Sequence, residues 1–157
     1  MQKAINVLNM LGEDMIIKNA NKEDLNEVST IMAKVFKKSP WNENWSKEEC
    51  LNRLTNIFDF PTSRNFVYVE EEKIIGYSTG FILPFENKKV FTLMELFIKE
   101  EYQHQHKGSE VLSKLENKLK EENISTIDLY TKGSLVNFYS NNGYKENKDE
   151  HRMEKEI

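Results

Sequence analysis

The chain has one cysteine and three histidines in 157 residues. Cys50 therefore has no internal disulfide partner, and so few histidines cannot assemble a ligand set at zinc spacing, so no metal is expected. No apolar run approaches the roughly 18 residues that a membrane span requires. The N-terminus lacks the basic, apolar and small-residue zones of a secretory leader, which makes the cytoplasm the expected compartment and leaves no membrane partner. An excess of basic residues is missing as well. The 22 Lys and Arg against 26 Asp and Glu leave a formal charge of -4, whereas proteins that bind nucleic acid concentrate cations on one face. A nucleic-acid partner is thus unfavoured, and an acidic protein suits a cationic substrate better. There is no internal repeat and no low-complexity segment. What the chain does have is core-forming material: 38% hydrophobic residues, including 9 Phe, 6 Tyr and 2 Trp. That fits one domain, because single domains commonly run to about 100–200 residues.

Residues 1–14 read as an extension with some apolar spacing, and residues 15–157 as the single domain. A short strand is expected from Met15 to Lys18. Asn21 then offers an N-cap for a helix whose apolar positions Leu25, Val28, Ile31, Met32, Val35 and Phe36 recur at the three-and-four spacing of one buried face. Ser46-Lys47-Glu48-Glu49 is a capping box, and Leu51, Leu54, Ile57 and Phe58 continue a second helix toward Pro61. The period then changes to β. Phe66 to Val69 and Ile74 to Leu83 flank an acidic turn at Glu70-Glu71-Glu72, and a third run spans Val90 to Ile98. A turn from Gln103 to Gly108 leads into a helix with Val111, Leu112, Leu115 and Leu119 inward. A strand from Ile124 to Thr131, a short helix from Leu135 to Asn141 and a last polar strand from Tyr144 to Glu156 complete the order. The expected fold class is α/β (α+β), with helices on both faces of a mixed sheet and an antiparallel meander at its centre.

Three places carry chemistry. The strand-to-helix turn from Gln103 to Glu110 presents the free N–H groups of a helix start, backed by the helix dipole, and these bind phosphate oxygens without many basic side chains. Gly108 allows close approach and Lys107 adds charge, although such a turn also serves as an ordinary connection. Strand alternation puts Glu95 on the face of Phe91, Leu93 and Phe97. Burial there would raise its pKa toward neutrality and suit it to take a proton from an alkylammonium; the alternative is that it reaches solvent or pairs with a neighbouring cation. The loop from Ser39 to Trp45 carries Trp41 and Trp45, which can face a sugar or a cation, and Glu43, which can pair with an ammonium. Equally, both indoles can pin the loop to the core. Cys50, on the second helix, is not needed as a nucleophile.

Two motifs in order, Gln103 to Gly108 and Phe138-Tyr139 with Gly143-Tyr144, resemble those of the GNAT superfamily of acetyl-CoA-dependent acyltransferases. The first is Gln103-His104-Gln105-His106-Lys107-Gly108, which is similar to the family's pyrophosphate-binding pattern of Gln or Arg, two residues, Gly, one residue, Gly or Ala. His106 stands where the first glycine belongs. If that position is left-handed, a histidine there carries about 1–2 kcal/mol of strain. The second is Leu135-Val136-Asn137-Phe138-Tyr139-Ser140-Asn141-Asn142-Gly143-Tyr144, which is similar to the family's Phe-Tyr, three residues, Gly-Phe or Gly-Tyr signature. The resemblance implies a GNAT-like, mainly antiparallel sheet of about six to seven strands with about four helices. It implies acetyl-CoA as cosubstrate, held by Leu96, Phe97, Ile98, the segment of Gln103, His104, Gln105, His106, Lys107, Gly108 and Ser109, and Asn137 with Tyr139. It also implies Glu95 as base, Tyr139 as the acid that protonates the leaving thiolate, and Trp41, Glu43 and Trp45 with Glu95 as the acceptor site. Lys132 occupies the place of an Asn that contacts the pantetheine arm in many members. A backbone N–H of Phe97 or Ile98 would stabilise the oxyanion. The loop with Trp41 and Trp45 resembles that of bacterial relatives of aminoglycoside N-acetyltransferases. The expected function is direct acetyl transfer to a primary amine of a small cationic molecule. A protein or peptide amine, or a noncatalytic acyl-CoA-binding module, are the competing readings, and a homodimer is compatible with the family.

Overall fold

The computed structural model describes residues 14–157; nearly all of the expected N-terminal extension lies outside the described residues. The domain begins with strand β1 (Ile16–Asn19), followed by a single 3-10 turn at Lys22–Asp24. The backbone N–H of Asn21 donates to the Asp24 carboxylate at 2.8 Å, which fixes the entry to helix α1 (Leu25–Phe36). Helix α2 (Lys47–Phe58) starts on the capping box expected of it. Ser46 Oγ accepts from the Glu49 N–H at 3.1 Å, and Glu49 accepts from the Ser46 N–H at 2.8 Å. Two orphan donors of the helix start are thereby satisfied.

Strands β2 (Ser63–Glu70), β3 (Lys73–Phe85) and β4 (Lys88–Ile98) form the antiparallel meander. Their two-residue turns use left-handed backbone, with Glu71 and Glu72 at φ 48 and 60 in the first and Glu86 at φ 53 in the second. Such turns match the right-handed twist of the strands they join. After a 3-10 turn at Glu100–Tyr102 comes helix α3 (Lys107–Glu121), then strand β5 (Thr126–Leu129), a 3-10 turn at Gly133–Leu135 and helix α4 (Val136–Asn141). The sheet order is β1-β2-β3-β4-β5, antiparallel except for the parallel pair β4-β5.

The sheet has five strands among the described residues, fewer than the six to seven expected. The difference lies at the C-terminus, where Tyr144 to Glu156 forms no strand. Beyond Tyr144 this stretch has Met153 as its one apolar residue, so it has no face to bury. Met153 is 87% exposed.

The core has two layers. Helices α1 and α2 cover one face, packing Leu25, Val28, Met32, Phe36 and Leu54 on Val67, Tyr77 and Phe97. Helix α3 covers the other, packing Val111, Leu115 and Leu119 on Phe66, Tyr68 and Phe91. Each fully buried aliphatic side chain contributes about 1.5–3 kcal/mol relative to exposure. In the sheet, buried hydroxyls are paired locally: Tyr68 Oη and Ser78 Oγ lie 2.8 Å apart, and the Tyr77 and Thr79 hydroxyls both donate to Asn65 Oδ1.

A bulge in β4 decides which side chain faces which layer. Thr79 opposes Glu95 while Gly80 opposes Leu93, so Met94 is an extra residue. An extra residue reverses the alternation beyond it. Phe91 and Leu93 therefore pack under α3, and Phe97 packs under α1. Glu95 does not share the face of Phe91 and Leu93, as unbroken alternation predicts; it shares that of Phe97.

Candidate active site

The bulge also marks where β4 and β5 part. Their parallel pairing runs from Val90 opposite Thr126 to Leu93 opposite Leu129 and stops there. Strand β4 continues for Met94 to Ile98, about 16 Å of strand at 3.3 Å per residue, without a β5 partner. The chain leaves β5 instead for the turn at Gly133 and helix α4. The space between the two strand ends, where β4 has no β5 partner, is the candidate cleft. Backbone direction along β4 follows from its ladder. The Lys99 N–H donates to Ile75 O at 2.8 Å, and the Phe97 carbonyl is turned against Gly76 of β3. The backbone groups of Leu96 and Ile98, of opposite parity, face the cleft.

The turn from Gln103 to Ser109 lies at the end of this cleft. Gln103 points its side chain back to β4, donating Nε2–H to Ile98 O at 2.9 Å. Gln105 donates to Glu101 O at 3.2 Å. His104 and His106 are both exposed and left-handed, at φ 62 and 58. His106 is the N-cap of α3, and no side chain caps that helix start. The first helical hydrogen bond there runs from the Glu110 N–H to His106 O at 3.2 Å, leaving the N–H groups of Lys107, Gly108 and Ser109 as the donors of an open helix start. The charge of Lys107 is engaged elsewhere: its Nζ lies 2.7 Å from Glu70 Oε2, tying α3 to the end of β2. Gly108 meets the second motif directly, because a Cβ there would lie 3.0 Å from the Phe138 ring.

On the α1/α2 face, Glu95 is 8% exposed and its Oε1 accepts from Arg53 Nε at 2.5 Å. Burial raises the Glu95 pKa above the usual carboxylate range; Arg53 opposes that shift and Glu43 adds to it. The Arg53 guanidinium lies 5.8 Å from the centre of the Trp45 ring, and Trp45 Nε1–H donates to Glu43 Oε2 at 2.5 Å. Glu43, Trp45 and Glu95 are thus brought into one cluster. Cys50 lies beside it, and burial pushes its thiol up to about 11. Arg53 was not foreseen. Its one signal was its place on α2, one turn after the buried Cys50 and next to the buried Leu54, at the margin of the buried face.

Trp41 packs edge-on against Phe36 at 5.0 Å, and the Lys132 ammonium lies 5.8 Å from its ring centre. The loop after α1 and the segment after β5 meet there. Tyr139 lies edge-on to Phe138 and Tyr144 at 5.1 and 5.5 Å. Burial raises its phenol to about 12. Asn137 is on the exposed side of α4. Thr131 Oγ1 and Tyr144 Oη are buried with no hydrogen-bond partner. Burial raises the Tyr144 phenol as well, and the Glu116 carboxylate nearby adds to the shift.

A cavity of about 410 Å³ opens elsewhere, between α1 and the turn after β4, beside Glu27, Lys34, Lys47 and Lys99. None of the residues expected in the site lines it. Among the described residues no group of ligating side chains is placed to hold a metal ion, and no helix is long and apolar enough to cross a membrane.

No curated protein matches the sequence. Solved structures share the fold at low identity. A possible acetyltransferase from Clostridium difficile 630 superposes with a TM-score of 0.77 at 16% identity, over 92% of this chain and 99% of that one. A predicted acetyltransferase from Clostridium acetobutylicum, solved with acetyl-CoA, gives a TM-score of 0.72 at 15% identity, over 90% and 96%. An aminoglycoside acetyltransferase from an uncultured soil metagenomic sample, solved with sisomicin, gives 0.68 at 14% identity, over 91% and 96%. The sequence pattern of the acetyltransferase (GNAT) family matches residues 27–144, a span that contains the cleft, the turn and both motifs, and the chain belongs to that family.

Proposed function

We propose that the protein transfers the acetyl group of acetyl-CoA directly to a primary amine of a small cationic molecule. The observation that carries this reading is the buried Glu95 carboxylate on β4, just past the point where that strand leaves β5 and opens toward an uncapped helix start. Acetyl-CoA supplies the thioester. The N–H groups of Lys107, Gly108 and Ser109 suit its pyrophosphate. Lys107 contributes its backbone here, since its ammonium is held by Glu70.

Glu95 accepts the proton of the acceptor ammonium, a role favoured by a carboxylate pKa moved toward the working pH. Glu43 attracts that ammonium to the loop, and Trp41 and Trp45 offer aromatic faces to it. The backbone N–H of Leu96 or Ile98 stabilises the oxyanion; the Phe97 N–H is turned to β3. Tyr139, neutral over the whole physiological range, donates a proton to the departing thiolate. Cys50 takes no part, because a thiol titrating near 11 carries almost no thiolate at neutral pH.

Thermal shift with acetyl-CoA, free CoA and a panel of amines tests cofactor and acceptor together, because a ligand bound to the folded state raises apparent stability. Thiol release from acetyl-CoA then separates enzyme from binder. Stabilisation by acetyl-CoA with no thiol release across the panel would overturn the catalytic reading in favour of an acyl-CoA-binding module.

A further inference from the structure

Arg53 has no role in the chemistry above, yet it is the group that Glu95 touches. It reaches Glu95 Oε1 through Nε at 2.5 Å while its guanidinium lies by the Trp45 ring, and Trp45 in turn holds Glu43. Glu43, Trp45, Arg53 and Glu95 form one line of contacts from the acceptor loop through α2 to β4. A carboxylate whose side chain is 9% exposed on a sheet face loses its hydration, and desolvation favours its neutral form unless a positive charge is fixed beside it. Charged and titratable groups face Glu95 from three directions. Helix α2 presents Arg53 and the neutral Cys50 thiol, and the loop presents Glu43. Strand β3 opposes it with Thr79, and Tyr77 on the same face turns its hydroxyl to Asn65. Helix α1 meets this layer with apolar side chains such as Phe36 against Phe97. Glu43 repels a second negative charge and the thiol is silent. The positive charge comes from Arg53.

We propose that Arg53 is the positioning residue of this site: its Nε–H fixes the Glu95 carboxylate in place and supplies the charge that burial at this point of the sheet requires, while its contact with Trp45 keeps the acceptor loop in register with the base. The inference rests on reading Glu95 as the proton acceptor. A purely structural arginine would tie α2 to the sheet without setting the protonation of Glu95, and the two roles separate in a titration.

The experiment is carboxyl-carbon NMR of the full chain labelled in glutamate, titrated between about pH 4 and 9, with Glu95→Gln identifying the Glu95 resonance by its loss. In Arg53→Gln the Glu95 midpoint should rise by about one pH unit or more, the effect of removing an opposite charge in contact. Arg53→Lys should fall between that variant and wild type, with glutamates remote from the site unmoved. A Glu95 midpoint unchanged in Arg53→Gln overturns the proposal. If Arg53→Gln does not fold, Arg53→Lys decides, and a wild-type midpoint in that variant overturns it equally. Failure of the base assignment has a different signature: Glu95→Gln would keep wild-type turnover while the titration still shifted with Arg53.

Discussion

Replacing His106 by glycine isolates the backbone energy at the start of α3. His106 is left-handed at φ 58 and ψ 7, exposed, and provides no side-chain cap to the helix. An L residue in that region carries about 1–2 kcal/mol of strain, and glycine carries none. Glycine gives back about 0.5–1 kcal/mol through the greater freedom of the unfolded chain. The balance is a gain of about 0–1.5 kcal/mol, which for a domain of this length raises Tm by up to about 6 °C. Urea unfolding of wild type and His106→Gly, with His104→Gly at φ 62 as a parallel case, measures it directly. Acetyl-CoA should bind at least as tightly by calorimetry, because removing the Cβ lets a phosphate approach the backbone. Destabilisation by more than about 0.5 kcal/mol would refute the strain argument. A lower affinity would show instead that the imidazole contacts the phosphate.

Glu95→Gln should lower turnover by about 10² or more and abolish its acid limb, since general-base catalysis is commonly worth that factor. The sign follows from the raised pKa: the proton-accepting form is lost as pH falls through a value above the usual carboxylate range, so wild-type rates drop earlier on acidification than an ordinary glutamate would allow. Tyr139→Phe should slow turnover while leaving the acetyl-CoA Kd unchanged, as read by initial rates and calorimetry. Cys50→Ala should keep transfer within a few-fold; loss of activity in the folded variant would break the direct-transfer scheme. Glu122→Gln tests the Arg64–Glu122 pair, joined at 2.6 Å and about a third exposed on both sides. Arg64 lowers the Glu122 pKa, so the pair's contribution is present above the unfolded carboxylate value and disappears as pH falls through the folded one. Solvent screening limits it to about 1 kcal/mol or less at neutral pH. Chemical denaturation at neutral and acidic pH should show the difference closing.

Helix α1 was legible because Leu25, Val28, Ile31, Met32, Val35 and Phe36 all face one layer, and every one of them is buried. Helix α2 was legible from its capping box, and the β2–β3 hairpin from β-branched and aromatic runs around an acidic turn. Those signals are local, each written within a dozen residues. The bulge at Met94 has no such signature, because an inserted residue alters register without altering composition. The period-2 pattern of Phe91, Leu93, Glu95 and Phe97 therefore reads as one face when the sheet splits it between two layers. The last strand failed for the opposite reason: Tyr144 to Glu156 is mostly polar and has no alternating apolar set to hold a strand in place.

The same distinction explains what was visible of the site. The two motifs were read separately, yet they are one packing unit: Gly108 at the start of α3 leaves the space that the Phe138 ring of α4 fills. The absence of a Cβ at Gly108 makes room for an aromatic ring at its Cα while its N–H stays free at the helix start. The spacing of the motifs thus records tertiary packing that brings α4 against the open helix start, and Tyr139 is placed by that contact through its neighbour in the chain. Arg53 escaped notice because its partner is 42 residues away, and a lone arginine among helix polar residues reads as solvated. What marks it is its place at the margin of the buried face of α2, beside Cys50 and Leu54, with its side chain 38% exposed and its Nε turned to a buried carboxylate. A flank position of this kind is compatible with solvent or with a partner on another element, and the fold decides which. On this chain that partner is Glu95, the residue proposed above as the base.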